Sequence, residues 1–424
     1  MSRKKTITIL SFSPIARDAR VLRQVQYLAP LYRLHVMGMG EEPAICANSK
    51  DITWHNIDPP QVQKPVAPIG ADWEPGLPAK VRRFKNRVTN GDWIAIRNSF
   101  FFRLQAVLNL CKKTKMFAYW AQPIHGKALE KALAIKCDAI LANDWNALPI
   151  AARVASQHSA RLVFDAHEYA PLEYDSLVWR LKAAPTINHV LKKYATKADA
   201  HITVGPCIAE KYDSTFGFAP VVIRNAPAYA EVPWHDTNPD AINIIHHGGA
   251  VRVRQLEDYI HIIKCCDKRF KLHFMLTGND SAYIEELKAL AQKAAPGRVE
   301  FHEPVAPEQV VEAIARFDMG LCFKKPLCFN EKYCMPNKFF DSIVAGLAVV
   351  SGPSPELADI IGHYGLGRVA PSFSLKDVAK TVNSLSGQEI QAMRRASLVA
   401  AQEINADREL SKLVEIFAGL FNSK

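Results

Sequence analysis

The sequence predicts an α/β chain built as two halves, each around a parallel sheet. Three observations predict it. Residues 6–39 read strand, loop, helix, strand, a βαβ unit whose crossover requires parallel strands. At 424 residues the chain exceeds what a single hydrophobic core serves, so two or three domains are expected. Residues 226–240, with Pro227, Pro233 and Pro239 and little periodicity, form a linker, after which a new strand opens at Ile242. This places a boundary near residue 230 between α/β halves of similar size. No sequence repeat links the halves beyond the shared alternation of strands and helices.

Composition sets the outer limits. The 49% apolar and 22% charged fractions are those of an ordinary globular protein. Nine cysteines occur without CxxC pairs or His-Cys clusters, which points to reduced thiols in a cytoplasm and away from a disulfide scaffold. The basic start Met1–Lys5 precedes an apolar run too short for a signal peptide, and a first strand is expected there. No segment is long and apolar enough to span a bilayer. The net charge of +11 admits nucleic acid, anionic membrane or phosphorylated ligands as partners.

In chain order, Thr6 to Phe12 is a strand and Asp18 to Leu31 an amphipathic helix with Val21, Leu22, Val25 and Leu28 on one face. The loop between them lacks GxGxxG, so the dinucleotide fingerprint is absent. Asp18 reads as a charge complementing the helix dipole. Leu34 to Met39 is the second strand. Residues 59–78 read as an extended proline-rich loop. Residues 80–120 are the most unusual in composition: ten Lys and Arg against the single acid Asp92, interleaved with Phe84, Trp93, Phe100, Phe101, Phe102, Phe117, Tyr119 and Trp120. Such a segment suits an anionic membrane interface, a nucleic acid, or a solvated basic face of helices packed on a sheet.

Asp138 to Ala142 is a strand ending in Asn143-Asp144, with a helix over 146–155. Arg161 to Phe164 is another, ending in Asp165-Ala166-His167-Glu168. Ligands of open α/β sheets gather at the carboxyl ends of strands, so Asn143, Asp144, His167 and Glu168 stand where site residues belong. Glu168 reads either as a general base or as a helix-start charge. Ala200 to Val204 and Val221 to Ile223 close the first half.

The second half opens with a strand, Ile242 to His247, running into Gly248-Gly249 and then Arg252 and Arg254, with a helix from Glu257. Glycines let backbone N–H groups approach phosphate oxygens, and arginines grip them as a fork; the plainer alternative is a tight turn with surface arginines. Leu272 to Leu276 is a strand ending at Thr277-Gly278; Val299 to His302 is a short strand before Glu303-Pro304 and a helix from Pro307; Asp318 to Phe323 is a further strand. Residues 408–421 are an amphipathic helix.

Between these lies the stretch around which the chain is organised, residues 330–352. Pro336 suits the first turn of a helix, Phe339, Phe340, Ile343 and Val344 form its apolar face, Gly346 ends it, and Leu347 to Val350 is a buried strand. Asn337, Lys338 and Asp341 sit at the helix opening, a place that attracts anions.

The run Pro336-Asn337-Lys338-x-Phe340-Asp341, followed by Ala345-Gly346 and Val349-Val350, resembles the donor-nucleotide segment of GT-B glycosyltransferases of the retaining, GT4-like group. Asp18-x-Arg20-Val21-Leu22 and the Asp165-x-His167-Glu168 step resemble that group too. The resemblance implies two Rossmann-like domains with parallel sheets facing across a cleft: 1–228 on the acceptor side, 229–407 binding a nucleotide sugar, and 408–424 a helix crossing back. It places Arg254 and Lys338 on the donor diphosphate, with Gly248, Gly249, Arg252, Gly278 and Asn337 beside them. Asp341 holds the ribose hydroxyls, and residues from His302 to Val305 lie against the base. His167 lies near the transferred sugar, with Arg20, Asn143 and Asp144 on the acceptor side. The chain departs from the family pattern where Asp341 replaces Glu and Tyr333 stands at the second acidic position; Glu331 is nearby at the wrong spacing.

The function so implied is transfer of a sugar from a UDP- or GDP-linked donor to a hydroxyl of a glycan or lipid-linked acceptor, with retention, in surface polysaccharide or glycoconjugate synthesis. No cofactor is implied, and the absence of a D-x-D pair leaves an essential metal unindicated. The expected location is cytoplasmic, with a peripheral membrane contact through 80–120 as one reading, and nucleic acid is not the expected partner. A non-catalytic GT-B protein binding a nucleotide, an envelope lipid or a protein partner is the alternative, and a nucleotide-sugar epimerase shares the fold.

Overall fold

The computed structural model describes residues 3–58, 116–278 and 280–422. The proline-rich loop expected at 59–78, and 80–115 of the basic aromatic segment, lie outside the described residues. Of that segment, Phe117–Trp120 forms a helical turn, and Arg153 lies over the Trp120 ring at 3.8 Å.

Thirteen strands among the described residues form two sheets. The first contains β1 (Thr6–Pro14), β2 (Arg33–Met39), β3 (Ile52–Asn56), β4 (Ala139–Asn143), β5 (Arg161–Asp165), β6 (Ala200–Thr203) and β7 (Val221–Val222), in the order β3-β2-β1-β4-β5-β6-β7. The second contains β8 (Ile242–Gly249), β9 (Phe270–Thr277), β10 (Val299–His302), β11 (Met319–Cys322), β12 (Ala348–Ser351) and β13 (Gly367–Val369), in the order β10-β9-β8-β11-β12-β13. Pairing is parallel from β3 to β5 and throughout the second sheet. Both orders are those of doubly wound, Rossmann-like sheets, with the order reversing at β1/β4 and at β8/β11. By compactness the chain divides into Met1–Val25, Ala29–Asp165 and Ala170–Asp199 as one unit, and Gln26–Leu28, Ala166–Tyr169 and Ala200–Lys424 as the other.

The expected elements form with small shifts at their ends. The helix after β4 runs Asp144–His158, beginning two residues earlier than periodicity alone indicates, directly after Asn143 at the strand end. The helix expected from Pro307 splits into a 3-10 turn, Pro307–Gln309, and a short α-helix, Val310–Ile314. Residues 223–241 hold no helix or strand. The eight described cysteines are all free thiols. No helix among the described residues is long and apolar enough to cross a membrane.

The second sheet shows why its strands read as near-continuous apolar runs: both faces are covered. Ile242, Ile244, Phe270, Leu272 and Phe274 pack with Tyr259, Ile260 and Ile263 of helix Glu257–Cys265. Ile245, Met275 and Val349 belong to a second cluster with Phe339, Phe340, Ile343 and Val344 of helix Asn337–Val344. Those last four are fully buried, each contributing about 1.5–3 kcal/mol of apolar burial. Gly346 follows the helix at φ +69°, the left-handed conformation a helix-ending glycine supplies. The C-terminal helix Ala406–Asn422 is fastened to residues 222–227. Buried Glu409 accepts from the Arg224 backbone and guanidinium at 2.9 and 3.0 Å, and Lys412 Nζ donates to the Val222 carbonyl at 3.1 Å.

A local repeat corrects the expectation that only strand–helix alternation links the halves. Arg33-Leu34-His35-Val36-Met37 of β2 matches Lys271-Leu272-His273-Phe274-Met275 of β9, and Thr53-Trp54-His55 of β3 matches Glu300-Phe301-His302 of β10. Registers coincide: His35 pairs with Thr53 and Met37 with His55, as His273 pairs with Glu300 and Met275 with His302. The repeat spans few residues and shows only once strand register aligns the two edges.

Candidate functional site

The second unit assembles a polar cluster where β8 meets helix Asn337–Val344. β8 lies at the switch point of its sheet, and its carboxyl end is the position at which such sheets bind ligands. Gly248 at the strand end has φ +118°, and Gly278 at the end of neighbouring β9 has φ +128°, conformations that strain any residue with a side chain. The chain then turns through Arg252–Arg254, and Arg254 Nη1 reaches back to within 3.4 Å of the Gly249 carbonyl.

Lys338 stands one residue into the helix, which Pro336 caps without a side-chain hydrogen bond. Its Nζ lies 3.2 Å from Nε2 of His246. Burial pushes the Lys338 ammonium down to about 8, and the charge of Arg254 adds to the effect. Burial, then the Lys338 charge, holds His246 well below the ordinary histidine range, and the same two causes push His247 down to about 4. At neutral pH the histidines are therefore neutral and the lysine charged. His247 Nε2 is buried and makes no hydrogen bond of ordinary geometry; Asp341 Oδ2 is 3.7 Å away. Asp341 itself is buried on the same helix. Among the described residues Lys338 has no carboxylate within ion-pairing distance.

The other donor-side candidates are distributed as follows. Arg252 is engaged at the surface: Nε donates to Asp280 at 3.1 Å, and Nη1 and Nη2 to Glu286 at 2.6 and 2.8 Å. Asn337 is exposed and accepts from Asn225 at 2.8 Å. The His302 side chain bonds His273 at 2.9 Å, and Val305 packs on the cluster beneath helix Asn337–Val344. The Tyr333 ring, at the position where the resembled group carries its second acid, packs on Phe329. Glu331 cannot stand in, because its carboxylate is occupied by Lys324 Nζ and the Leu327 N–H, both at 2.6 Å.

His167 falls in the second unit. It has φ +53°, and its carbonyl accepts from the Thr203 hydroxyl at 2.6 Å. Asp144, in the first unit, has φ +64°. Among the described residues only four other than glycine have positive φ, and two of them are these site candidates. Such backbones cost on the order of 1–3 kcal/mol and cluster at functional sites. Asn143, beside Asp144, is buried. Arg20 in the first unit is buried in a bidentate pair with Asp165, Nε at 2.6 Å and Nη2 at 2.8 Å, and Gln24 donates to the same carboxylate at 2.6 Å. Asp18 caps its helix, accepting from the N–H groups of Arg20 and Val21, in line with its reading as a helix-start charge. Sequence reasoning assigned no role to His246, His247 or Asp165. A His-His pair ahead of Gly-Gly is visible in the sequence, but its partners are not.

No protein-family model matches the sequence, and no curated protein matches it by sequence. Solved structures do match by fold. Sucrose-phosphate synthase from Thermosynechococcus elongatus aligns with TM-score 0.67 at 11% identity, over 99% of this chain and 100% of that one. HepE of Anabaena in complex with UDP-glucose aligns with TM-score 0.64 at 12% identity, over 98% and 100%. A glycosyltransferase from Rickettsia africae aligns with TM-score 0.64 at 10% identity, over 100% of both. These likenesses establish the fold: two Rossmann-like sheets of the GT-B type, along essentially the whole chain.

Proposed function

We propose that the protein is a glycosyltransferase that takes a sugar from a nucleoside-diphosphate sugar. One observation carries this reading: charged Lys338 stands at a helix opening beside the glycine-lined end of β8, with Arg254 close by and, among the described residues, no carboxylate to neutralise it. Cations set at a helix N-terminus and strand-end glycines suit a diphosphate and stabilise the charge that grows on it as the sugar leaves. HepE was crystallised with UDP and with UDP-glucose, which supports UDP as the donor base here.

In this reading Asp341 holds the ribose, the backbone from His302 to Val305 meets the base, and Gly248, Gly249 and Gly278 admit the phosphates. His167 positions the sugar, and Asn143 and Asp144 face the acceptor. Transfer proceeds with retention to a glycan or lipid-linked hydroxyl in surface polysaccharide or glycoconjugate synthesis. Residues 1–228 form the acceptor half, 229–407 the donor half and 408–424 the closing helix, in a cytoplasmic protein that meets the membrane through 80–120.

One feature favours the second reading, a GT-B protein that binds a nucleotide without turnover: Tyr333 brings no carboxylate, and Glu331 is occupied by Lys324 and Leu327. The experiment is a thermal-shift panel of UDP, GDP, CDP and ADP on the wild type and Lys338→Ala, followed by a turnover assay with sugars of the stabilising nucleotide. A ligand present at a hundredfold its Kd adds about 2.7 kcal/mol. Stabilisation by one diphosphate that Lys338→Ala abolishes, with turnover, supports transfer. Stabilisation without turnover supports the second reading, and no stabilisation by any of the four overturns both.

A further inference from the structure

From the edge of the second sheet, we infer that His273, Glu300 and His302 form a binding site for a divalent transition-metal ion of the zinc or cobalt class. The site is made of side chains on β9 and β10. His273 Nδ1 lies 2.9 Å from His302 Nε2 and 3.5 Å from Glu300 Oε2, and the three ligand atoms all lie within 4.8 Å of one another. In a tetrahedral zinc site with metal–ligand bonds near 2.0–2.1 Å, ligand atoms stand about 3.3 Å apart. The two short separations bracket that spacing. Two imidazoles and a carboxylate are the ligand set that suits these ions, and three protein ligands leave a fourth position for water.

The ring that anchors the set is already oriented. His273 is buried, and its Nε2 lies 2.9 Å from Asn243 Oδ1, which accepts the Nε2 proton and leaves the Nδ1 lone pair turned toward Glu300 and His302. Asn243 is held in turn by its own amide, which donates to the Ala241 carbonyl at 3.4 Å. Phe317 packs on both imidazoles, with ring centres 4.8 Å from His273 and 5.7 Å from His302. β10 is an edge strand and Glu300 is exposed, so an ion enters from solvent without opening the fold. Two cations flank the set: Arg316 Nη2 stands 3.4 Å from His302 Nδ1 and Lys271 Nζ 4.0 Å from Glu300. In the metal-free state His302 Nε2–H donates to His273 Nδ1; metal binding through Nε2 takes the other neutral tautomer, with the proton on Nδ1, and the exposed Arg316 then gives up its contact with that nitrogen.

The first sheet supplies an internal control. His35 Nδ1 and His55 Nε2 lie 3.0 Å apart in the same register, but Thr53 occupies the place of Glu300. A histidine pair alone is explained by one ring hydrogen-bonding the other across the strands. The carboxylate turns a pair into a chelating set, and only the second sheet has it.

The test is titration of the untagged full chain with cobalt(II) chloride, followed by visible absorption and calorimetry. The site predicts one equivalent of cobalt with a ligand-field band, an affinity at least tenfold weaker in both Glu300→Gln and His302→Gln, and a second equivalent in Thr53→Glu. Circular dichroism and melting of each variant separate a lost ligand from a lost fold. Exposed Glu300 can change without disturbing the core, so Glu300→Gln is decisive even where the histidine variant unfolds. No band at saturating cobalt, or an affinity that Glu300→Gln leaves unchanged, overturns the inference.

Discussion

Arg20 is buried and Lys338 partly buried, and the two cations are held in opposite ways. Arg20 meets its counter-ion within the protein: Asp165 accepts two of its hydrogen bonds, Gln24 adds another, and both members of the pair are buried. Among the described residues the Lys338 ammonium meets a neutral imidazole and no carboxylate, with another cation, Arg254, near enough to lower its proton affinity. A closed pair meets its desolvation cost with its own geometry and asks nothing of a ligand. An open cation keeps that cost until an anion arrives. The contrast also bears on Arg20, whose motif resembles an acceptor-side element while its contacts are those of a structural anchor.

The largest effect expected from this contrast is on stability. Arg20→Ala leaves Asp165 buried without its cation, and removing one partner of a buried pair costs about 3–5 kcal/mol. Chemical denaturation should show that loss, with the nucleotide-induced thermal shift retained. If Arg20→Ala instead unfolds like the wild type and loses turnover, the anchor reading breaks and Arg20 joins the acceptor side.

Lys338→Ala should do the reverse. Removing a cation that stabilises a developing oxyanion costs on the order of 10²–10³ in kcat, measured as turnover of the stabilising nucleotide's sugar. Its melting temperature without ligand should hold or rise, since a partly buried charge with no carboxylate partner among the described residues is removed. A variant that melts well below the wild type would mean Lys338 is as structural as Arg20.

The separation of these roles also marks what the sequence discloses. The helix at Asn337, its proline start, glycine end and buried strand are local signals, and each was legible. So were the strand-end positions of Asn143, Asp144 and Gly248, because strand–helix alternation fixes where strands stop. Pairings were not. His246 lies 92 positions from Lys338, and Arg20 lies 145 from Asp165, distances that only the sheet order closes. The positive φ of Asp144 and His167 was hidden for another reason: left-handed backbone is announced by glycine, and here the tertiary structure imposes it on other residues. The engagement of Glu331 by Lys324 and Leu327 was equally invisible, since spacing shows that a carboxylate is near and not what it holds.

Proton affinity sharpens the contrast by a smaller margin. Burial lowers Lys338 to about 8 in the fold, below its value in the unfolded chain. Between those two values the unfolded state binds more protons, so this group's contribution to stability rises with pH across that window. A diphosphate prefers the charged lysine, so its affinity falls as pH rises through 8. At pH 9 only about a tenth of the lysine is protonated, and Kd for the diphosphate should be weaker by up to about tenfold than at pH 7. Calorimetric titration across this range checks it, with Lys338→Arg flattening the dependence because a guanidinium keeps its proton. A Kd independent of pH in the wild type would place the diphosphate elsewhere.

The smallest effect belongs to Arg252, and it separates the two arginines that the loop after β8 presents. Arg252 is half exposed, is spent on Asp280 and Glu286, and lies over the Tyr283 ring at 4.7 Å. Exposed pairs of this kind are worth about 0–1 kcal/mol, so Arg252→Ala should shift melting only slightly and leave diphosphate affinity near that of the wild type. Arg254 reaches back over the glycines at the end of β8, and Arg254→Ala should weaken the diphosphate by the 1.5–3 kcal/mol or so of a hydrogen bond to a charged group. Binding isotherms of the two variants, measured side by side, read the difference directly. Equal losses would mean that Arg252 leaves its carboxylates when the ligand binds, and the loop would then close on the phosphates with both arginines.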